Sequence, residues 1–455
     1  MSARVVLYNP RAVFYTMPLA LIALGSALRE DGVEVVIVDG RLEPDPVTAV
    51  VAAARDAVCL GVTVLTGAPI DDALLVSRAV KKAHPRCTVV WGGWHPSLFA
   101  EECLEEPSVD VAVLGQGEDI LREIVARLRA GERVAGKHAA SGLRDLNELP
   151  RHDYGMIPVE RYFALKRKRQ IDYISSQGCR FRCAFCADPA VYQRGWTGLM
   201  PERIAEEVAH LHRAHAFEEL AFQDETFFTH PARVSQLAEA FLTRGFDVTW
   251  TATLRADQAC RLGEPLFAAC VRAGLRRVMI GVESGSQDTL DRLKKDVRLD
   301  QVLTAAALCA RHDVGVIFNF IVGFPGEADD SIDATLRLAK RLRAMHPRFE
   351  TPIFYYRPYP GNPIADAARA AGYEFPRGLA GWADFDYVSG RGPWISPARW
   401  QQIERFKFYS RHAWQPGGWR WPLRIASRWR CERDWYGLPV EKALVEWVRP
   451  PQQVS

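Results

Sequence analysis

The segment Cys179-Arg-Phe-Arg-Cys183-Ala-Phe-Cys186 places three cysteines within eight residues. It follows an apolar, strand-like run at 171–175 and Gly178, which lets the backbone turn sharply, so one short loop can direct three sulfurs at one point. Three thiolates bind three irons of a cubane cluster and leave the fourth iron open for chemistry, whereas a fully ligated cluster mainly transfers electrons. The spacing therefore predicts that these three cysteines are the metal ligands of a [4Fe–4S] cluster.

Two plainer interpretations fit the segment less well. A structural zinc site needs four nitrogen or sulfur ligands, commonly as two close pairs, and neither a second cysteine pair nor a suitably spaced histidine follows. A ferredoxin would need a fourth cysteine at matching spacing. Free core cysteines are common, but three of them in one glycine-led loop are not.

The Cys-x3-Cys-x-aromatic-Cys pattern resembles the radical S-adenosylmethionine (SAM) superfamily. In that family the open iron holds the amino and carboxylate groups of SAM, and an electron from the cluster cleaves SAM to methionine and a 5′-deoxyadenosyl radical. Phe185 occupies the aromatic position before the third cysteine, which in the family lies near the adenine. The resemblance implies SAM as a cofactor and Phe185 as one of its contacts.

The composition of the 455 residues is that of an ordinary globular protein, with 48% apolar and 25% charged residues. The net charge of +3 gives no case for a nucleic-acid partner. No run of about 18 apolar residues occurs, so no membrane span is expected. Ten cysteines without dense regular spacing, and an N-terminus without an apolar secretion signal, predict a cytoplasmic location.

Residues 1–130 alternate between apolar strand-like runs, at 5–8, 34–39, 57–63, 88–91 and 109–114, and helix-like runs. Such alternation predicts an α/β domain with a doubly wound parallel sheet. Ligands of such sheets bind beyond the carboxyl ends of the strands. The candidate binding residues at those ends are Thr66, Gly67, Gly92, Gly93, His95, Gly115, Gly117 and Glu118.

Any one of these glycines, taken alone, could mark nothing more than a tight turn. Together the Gly-Gly-x-His-Pro and Gly-x-Gly-Glu segments resemble the Rossmann-like cobalamin-binding domain that precedes many radical SAM domains. The resemblance implies cobalamin as a further cofactor, with His95 orienting its loop rather than binding cobalt. The Asp-x-His-x-x-Gly motif that supplies an axial histidine in other cobalamin proteins is absent, as it usually is in cobalamin-dependent radical SAM enzymes, so the axial ligand stays open.

Residues 131–170 read as an irregular linker, and 171–375 as a second α/β domain. Six βα units that begin with the cluster loop resemble the partial (β/α)6 barrel of the radical SAM superfamily. Barrels carry their functional groups at the carboxyl ends of the strands. The six strands are expected at 171–175, 219–223, 249–254, 277–282, 315–322 and 351–357.

Polar residues follow several of these strands. Asp224 and Glu225 follow the second, where the family holds the amino group of SAM, although a helix N-cap would also explain them. Arg255 follows the third and suits the SAM carboxylate, because guanidinium groups bind carboxylates through two hydrogen bonds; a surface ion pair is the alternative. The Gly-x-Glu-Ser-Gly motif and the segment at 319–327 resemble family motifs, which adds Glu283, Ser284, Asn319 and Val322 as expected SAM contacts.

The extension at 376–455 is rich in tryptophan and arginine, and nine of the thirteen tryptophans follow residue 380. Both residue types are frequent in binding hot spots. The extension could be a lid over a large apolar or aromatic substrate, a scaffold that covers the open barrel, or a surface for a membrane or partner. Its members include Trp382, Trp394, Trp400, Trp414, Trp419, Trp421, Arg405, Arg411, Arg420, Arg424, Arg428, Arg430 and Arg433.

The resemblance as a whole implies a cobalamin-dependent radical SAM enzyme that transfers a methyl group to an unactivated carbon or phosphorus of a small molecule. A flavodoxin or ferredoxin would supply the electrons. The cofactors carry the hard chemistry in this scheme, so no catalytic side chain is predicted. Two alternatives stay open: a non-methylating relative that cyclises or oxidatively rearranges its substrate, as the anaerobic porphyrin cyclases do, and a cluster-bearing sensor without turnover.

Overall fold

The computed structural model describes residues 3–385, 390–414 and 421–448. Its first sheet is parallel throughout, with the strand order β2-β1-β3-β4-β5-β6, which confirms the doubly wound α/β fold predicted for the N-terminal part. The elements are β1 Arg4–Asn9, α1 Leu19–Glu30, β2 Glu34–Asp39, α2 Pro46–Ala53, β3 Ala57–Thr63, α3 Pro69–Ala83, β4 Thr88–Gly92, α4 Trp94–Leu104, β5 Val111–Leu114, α5 Glu118–Arg129 and β6 Gly136–Ala139.

Both faces of this sheet are buried. On β1, Val6 and Tyr8 belong to the core on one side, whereas Val5 and Leu7 belong to the core on the other. A strand buried on both faces reads as a continuous apolar run, and this explains why the central strands could be recognised in the sequence.

The edge strand β6 was not expected, because the sequence analysis placed residues 136–138 in an irregular linker. β6 pairs with β5 from Gly136 opposite Val111 to Ala139 opposite Leu114. Its residues are half-buried or exposed, so no apolar pattern marks it. The strand forms because β5 offers an unpaired edge, which is a tertiary feature.

The second sheet carries the partial barrel and has parallel strands in the order β7-β10-β11-β12-β13-β14, with β15 also beside β13. It stays open between β7 and β15 within the described ranges. The elements are α6 Val159–Lys166, β7 Gln170–Tyr173, β8 Ser176–Gly178, α7 Asp188–Tyr192, β9 Trp196–Gly198, α8 Pro201–His215, β10 Glu219–Phe222, α9 Pro231–Arg244, β11 Thr249–Thr253, α10 Ala256–Arg272, β12 Leu275–Glu283, α11 Gln287–Arg292, α12 Leu299–Arg311, β13 Gly315–Val322, α13 Asp329–Met345, β14 Phe349–Glu350 and β15 Ile353–Tyr355.

The sixth barrel position differs from the single strand expected at 351–357. Two short strands, β14 and β15, share this position on either side of Pro352. Proline has no N–H to donate, so it interrupts the ladder even though its carbonyl accepts a hydrogen bond from Phe320 N at 3.0 Å.

The C-terminal extension ties the two sheets together. Trp382 is buried in the core of the first domain, where its ring centroid lies 4.3 Å from that of Phe99. Trp394 packs on the barrel side and donates a hydrogen bond to the carbonyl of Gly323. These contacts are those of a scaffold. The helices are α14 Pro363–Ala370, α15 Gly378–Ala383, α16 Pro397–Ala413, α17 Trp421–Glu432 and α18 Val440–Val448.

The tryptophans of α17 behave differently, because Trp421 and Trp429 are 57% and 44% exposed. Trp419 and Arg420, which belong to the same tryptophan- and arginine-rich stretch, lie outside the described residues. Among the helices that the structure describes, none combines the length and apolar character needed to cross a bilayer.

Candidate active site

The cysteine loop is held in a sharply bent conformation. Gly178 has a φ of +86°, and a Cβ at this position would lie 2.4 Å from the carbonyl oxygen of Gly195. Only glycine fits both conditions. Further along, Ala184 N donates to Leu293 O at 2.8 Å, which anchors the loop to the end of α11. The backbone therefore returns on itself between the first and third cysteines.

The three cysteine side chains are free and half-buried, and they lie close enough to influence one another. Burial raises the pKa of Cys179 to about 11, and the nearby thiol of Cys183 adds to this rise. Burial also raises the pKa of Cys186 well above its ordinary value, with contributions from Asp188, Cys183 and Cys179. The three thiols are thus near one another, and none of them is fully buried.

The donor set fits a cluster better than a single ion. No trio of His, Cys, Asp or Glu side chains in the described parts of the chain is arranged to hold one metal ion. In a cubane the three cysteines bind three different irons, so they do not converge on a single metal. Three half-buried thiols in one bent loop suit a cluster with one open iron.

Arg255 lies against the cysteine loop. Its guanidinium carbon is 3.5 Å from the ring centroid of Phe181, and its Nη1 is 3.9 Å from the sulfur of Cys183. Nε donates to Asp257 at 2.9 Å and Nη2 donates to the Lys295 carbonyl at 2.7 Å. The residue is buried, so it is not the surface ion pair that the sequence left open.

A buried ion pair lies on the Phe185 side of the loop. Lys295 Nζ is 2.6 Å from Glu283 Oε1, and both side chains are only 8% exposed. The same Nζ is 5.9 Å from the ring centroid of Phe185. Glu283 has a φ of +69° and follows a register shift at Gly281, which turns its side chain towards Lys295. Lys295 could not be recognised from the sequence, because nothing near it in the chain marks it as the partner of Glu283.

Replacing Lys295 by methionine is expected to lower the free energy of unfolding by about 3–5 kcal/mol, because it leaves a buried carboxylate unpaired. Adding Glu283→Gln to Lys295→Met removes that charge and should recover part of the loss. Urea unfolding of the three proteins under identical conditions measures both changes. An unchanged stability for Lys295→Met would show that the pair is not buried as described.

Asp224 is fully engaged within the protein. It is 1% exposed and accepts hydrogen bonds from Ser175 N at 2.8 Å, Ser175 Oγ at 2.7 Å and Ser176 Oγ at 2.5 Å. It supports the turn that leads into the cysteine loop, and it caps no helix. Its neighbour Glu225 instead faces an internal cavity and accepts a hydrogen bond from Gly178 N at 3.1 Å.

The remaining predicted SAM contacts lie on the barrel framework. Ser284 is buried, and its hydroxyl lies 3.2 Å from that of Thr335. Val322 is also buried, and Asn319 is half-buried on β13 opposite Gly281. The structure therefore brings Phe185, Arg255 and Glu283 to the cysteine loop. Asp224, Ser284 and Val322 are buried in the surrounding framework, and their contacts with SAM stay predictions.

A cavity of about 430 Å³ lies between the carboxyl edge of the first sheet and the barrel. The first domain contributes Gly92, Gly93, Gly115, Gly117 and Glu118 to its wall, together with apolar side chains such as Val113. The barrel contributes Gln177, Tyr192, Gln223 and Glu225. Because Gln177 and Tyr192 flank the cysteine segment in the chain, the cavity extends from the glycine edge to the neighbourhood of the loop.

The glycine edge suits a bulky, flat ligand. Gly93 has a φ of +97°, and a Cβ there would lie 3.0 Å from Thr63 Oγ1 and 3.1 Å from Val64 N. Backbone without side chains therefore forms this part of the wall, and a large ligand can approach it closely. Among the described residues that line the cavity, the one histidine is His152, which comes from the linker and not from the glycine edge.

Two acidic groups of the cavity wall, Glu225 and Glu118, resist ionisation because they are buried. Burial raises the pKa of Glu225 to about 8, and the charge of Asp188 adds to the rise. Burial likewise raises the pKa of Asp188 to about 6 and raises that of Glu118 above its ordinary value. Burial thus disfavours the charged form of the Glu225 carboxyl, and its protonated form can donate a hydrogen bond as well as accept one.

Thr66, Gly67 and His95 do not line this cavity. His95 is fully buried behind the glycine edge, with Nδ1 3.1 Å from Thr66 Oγ1 and its ring 4.8 Å from the ring centroid of Phe99. Its Nε2 has no hydrogen-bond partner in the described residues. Nothing in the loop sequence indicated that this ring turns inward, towards Trp382 of the extension.

His95 is expected to make the protein less stable in acid. Burial lowers its pKa from 6.5 to about 4. As the pH falls below 6.5, the unfolded chain therefore binds a proton at this ring and the folded protein does not. About 2 kcal/mol should be lost between pH 7.5 and pH 5 through this group. Unfolding curves at both pH values for the parent and for His95→Leu measure it, and an equal pH dependence of the two proteins would contradict it.

Comparisons with known proteins match both halves of the chain. A model of the B12 binding domain matches residues 6–125, and a model of the radical SAM superfamily matches residues 173–339. An uncharacterized methyltransferase of Pyrococcus horikoshii is 28% identical over 373 residues, which cover 78% of each chain. An anaerobic magnesium-protoporphyrin IX monomethyl ester cyclase of Synechocystis sp. is 25% identical over 342 residues, 70% of this chain and 68% of the cyclase.

The fold is also found in a solved structure. TsrM from Kitasatospora setae, a radical S-adenosylmethionine methyltransferase determined with cobalamin and a [4Fe–4S] cluster, matches with a TM-score of 0.68 at 18% identity. The match covers 82% of this chain and 76% of TsrM. With a B12 binding domain followed by a radical SAM domain in one chain of this fold, the protein belongs to the cobalamin-dependent radical SAM enzymes, whose cofactors are a [4Fe–4S] cluster, SAM and cobalamin.

Proposed function

We propose that this protein transfers a methyl group to an unactivated carbon or phosphorus of a small molecule. One observation carries the proposal: a single cavity touches both the glycine edge of the B12 binding domain and the flanks of the cysteine loop. A methyl donor at the glycine edge and a radical source at the cysteine loop would then act on one substrate in the same cavity. The similarity to a methyltransferase over 78% of both chains supports the same assignment.

The proposed roles of the side chains follow from their positions. Cys179, Cys183 and Cys186 hold the cluster, and Arg255 beside Cys183 is placed to bind the carboxylate of SAM. The glycines of the first domain form the backbone surface for the corrin ring. When bound, the cluster and SAM supply a hydrogen-abstracting radical, and cobalamin supplies the methyl group. The protein contributes binding, alignment and exclusion of water.

The wall of the cavity indicates the kind of substrate. Phe14, Met17, Leu19 and Leu199 line it, and apolar lining predominates. Glu225, whose ionisation is disfavoured by burial, adds a hydrogen-bonding group to this wall. We therefore propose a substrate with a substantial apolar or aromatic part, and such a substrate would gain free energy by leaving water.

A one-electron carrier such as flavodoxin or ferredoxin is proposed as the reductant, and the cytoplasm as the location. All ten cysteines are free, which is compatible with a reducing compartment.

The experiment is incubation of the anaerobically reconstituted protein with SAM, a reductant and cobalamin. We expect both S-adenosylhomocysteine, from methylation of the cofactor, and 5′-deoxyadenosine. A second candidate function is a non-methylating cyclisation, favoured by the similarity to a cyclase over 70% of this chain. Deoxyadenosine without S-adenosylhomocysteine would support that candidate, and the absence of both products would contradict each of them.

A further inference from the structure

Four arginines surround the cysteine loop where it meets solvent, and we call them the arginine rim: Arg180, Arg182, Arg194 and Arg261. Arg180 and Arg182 stand between the first two cysteines, and both are exposed. Arg194, also exposed, donates from Nε to the Arg180 carbonyl at 3.3 Å, so its side chain reaches the cysteine loop. Arg261 belongs to α10 and is 53% exposed.

The positive charge of the rim is only partly neutralised. Arg182 pairs with Asp296 at 2.8 and 3.0 Å, and Arg261 makes a loose contact of 3.9 Å with Asp257, which already binds Arg255. Arg180 stacks over the ring of Trp196 at 5.6 Å, a contact that leaves its charge in place. Four rim arginines and Arg255 thus face Asp296, Asp257 and, beside Cys186, Asp188, which still leaves an excess of positive charge at the loop.

This positive charge shifts the pKa values of neighbouring groups. The pKa of Asp296 is lowered by its hydrogen bond with Arg182, and the charges of Arg255 and Arg194 lower it further. The pKa of His230 is lowered by burial and then by the charges of Arg180, Arg233 and Arg261. The arginines therefore act on one region of the surface rather than as scattered solvated charges.

The location of this charge matters because the rate of electron tunnelling falls steeply with the distance between donor and acceptor. A protein that reduces a cluster at the cysteine loop has to dock directly over that loop. The cavity side is closed by the first domain, as the T-shaped contact of Tyr192 with Trp94 shows, with ring centroids 5.9 Å apart. The approach from solvent passes the arginine rim.

We propose that the arginine rim is the docking surface for a one-electron carrier protein with an acidic surface, of the flavodoxin or ferredoxin type. The inference rests on the proposed function only in requiring a cluster in the loop. In the step concerned the carrier is oxidised by one electron and the cluster is reduced by one electron. Complementary charges on the two proteins raise their rate of encounter, and salt lowers that rate by screening the attraction.

The test measures cluster reduction directly, as loss of visible absorbance in a stopped-flow instrument, without SAM and without turnover. A reduced acidic flavodoxin is mixed with the reconstituted protein or with the Arg180→Glu/Arg194→Glu double variant. At low ionic strength we expect the second-order rate constant of the variant to be at least about tenfold lower. At about 0.5 M salt the difference should shrink, because the Debye length is then only a few ångströms.

Two controls separate docking from damage to the loop. Dithionite is a small anion that needs no docking surface, so its reduction of the cluster should slow much less in the variant than reduction by flavodoxin does. Arg86→Glu makes the same charge reversal at an exposed residue that precedes β4, at the opposite edge of the sheet from the cavity, and should leave the rate with flavodoxin unchanged.

Two results would overturn the proposal. One is an equal rate with flavodoxin for the parent and the double variant at low salt, and the other is an equal loss of rate with dithionite. If the double variant fails to hold a cluster, the rate of reduction by flavodoxin is measured for Arg180→Gln/Arg194→Gln instead. The salt dependence of the parent's rate then tests the proposal as well. A parent rate that is independent of salt contradicts docking at the rim, whatever the outcome for methyl transfer.

Discussion

Replacing Cys183 by alanine is expected to abolish the visible cluster absorbance and to lower SAM cleavage by more than about 100-fold, which exceeds the usual cost of changing an outer-shell partner of a metal site. Cys183 is the central sulfur of the loop: it lies 3.9 Å from Arg255 Nη1, and its thiol contributes to the raised pKa values of both Cys179 and Cys186. Two cysteines cannot hold three corners of a cubane. Iron and sulfide analysis together with the absorption spectrum measures the change.

Cys260→Ala is the matched control, because Cys260 is a free and exposed cysteine on α10. It should keep the iron, the sulfide and the activity of the parent. Full iron and sulfide loading of Cys183→Ala would contradict the ligand assignment, and an equal loss in both variants would show that handling of the protein, rather than ligation, removes the cluster.

Gly93→Val is expected to remove cobalamin while leaving the cluster in place. Valine at a φ of +97° is strained by about 1–3 kcal/mol, and its Cβ would meet Thr63 and Val64 at 3.0 to 3.2 Å. The loop must move, and the wall of the cavity moves with it. Cobalt content after reconstitution should fall about tenfold or more, whereas the iron content should not change.

Gly131→Val provides the control for strain alone. Gly131 has a φ of +84° after α5, and nothing lies within 4 Å of the Cβ that it would carry. This variant should therefore show a similar loss of stability with normal cobalt content. Normal cobalt in Gly93→Val would contradict the placement of cobalamin at the glycine edge.

The sequence predicted the elements that are marked by local patterns. The buried strands of both sheets have continuous apolar runs, and the cysteine loop has a fixed spacing. Gly178 could be recognised as a turn because its conformation is a local matter.

The features that were missed depend on partners distant in the chain. β6 exists because β5 offers an edge, and Lys295 matters because a register shift turns Glu283 towards it. Asp224 has the residue type expected of a ligand, yet three hydroxyl and amide donors of Ser175 and Ser176 occupy it. A sequence pattern names the residue type, but only the packing decides whether its lone pairs remain available.

Some predictions from the sequence remain proposals. The roles of the individual cofactor-binding residues and the limits of the domains, at 1–130, 131–170, 171–375 and 376–455, follow from the resemblance. The cavity supports the roles of Gly92, Gly93, Gly115, Gly117 and Glu118, because all five line it. For Thr66 and His95 the structure supports an indirect role, in which they hold the glycine edge from behind, and the role of Gly67 stays a prediction.

The central claim is that one cavity between the two domains serves a cobalt cofactor and an iron–sulfur cluster in the same molecule. The most direct measurement is the metal content of protein purified without oxygen from cells supplied with cobalamin, read together with its visible spectrum. The account predicts about one cobalt and about four irons in each chain. Four irons without cobalt, or cobalt that dissociates on gel filtration, would contradict it.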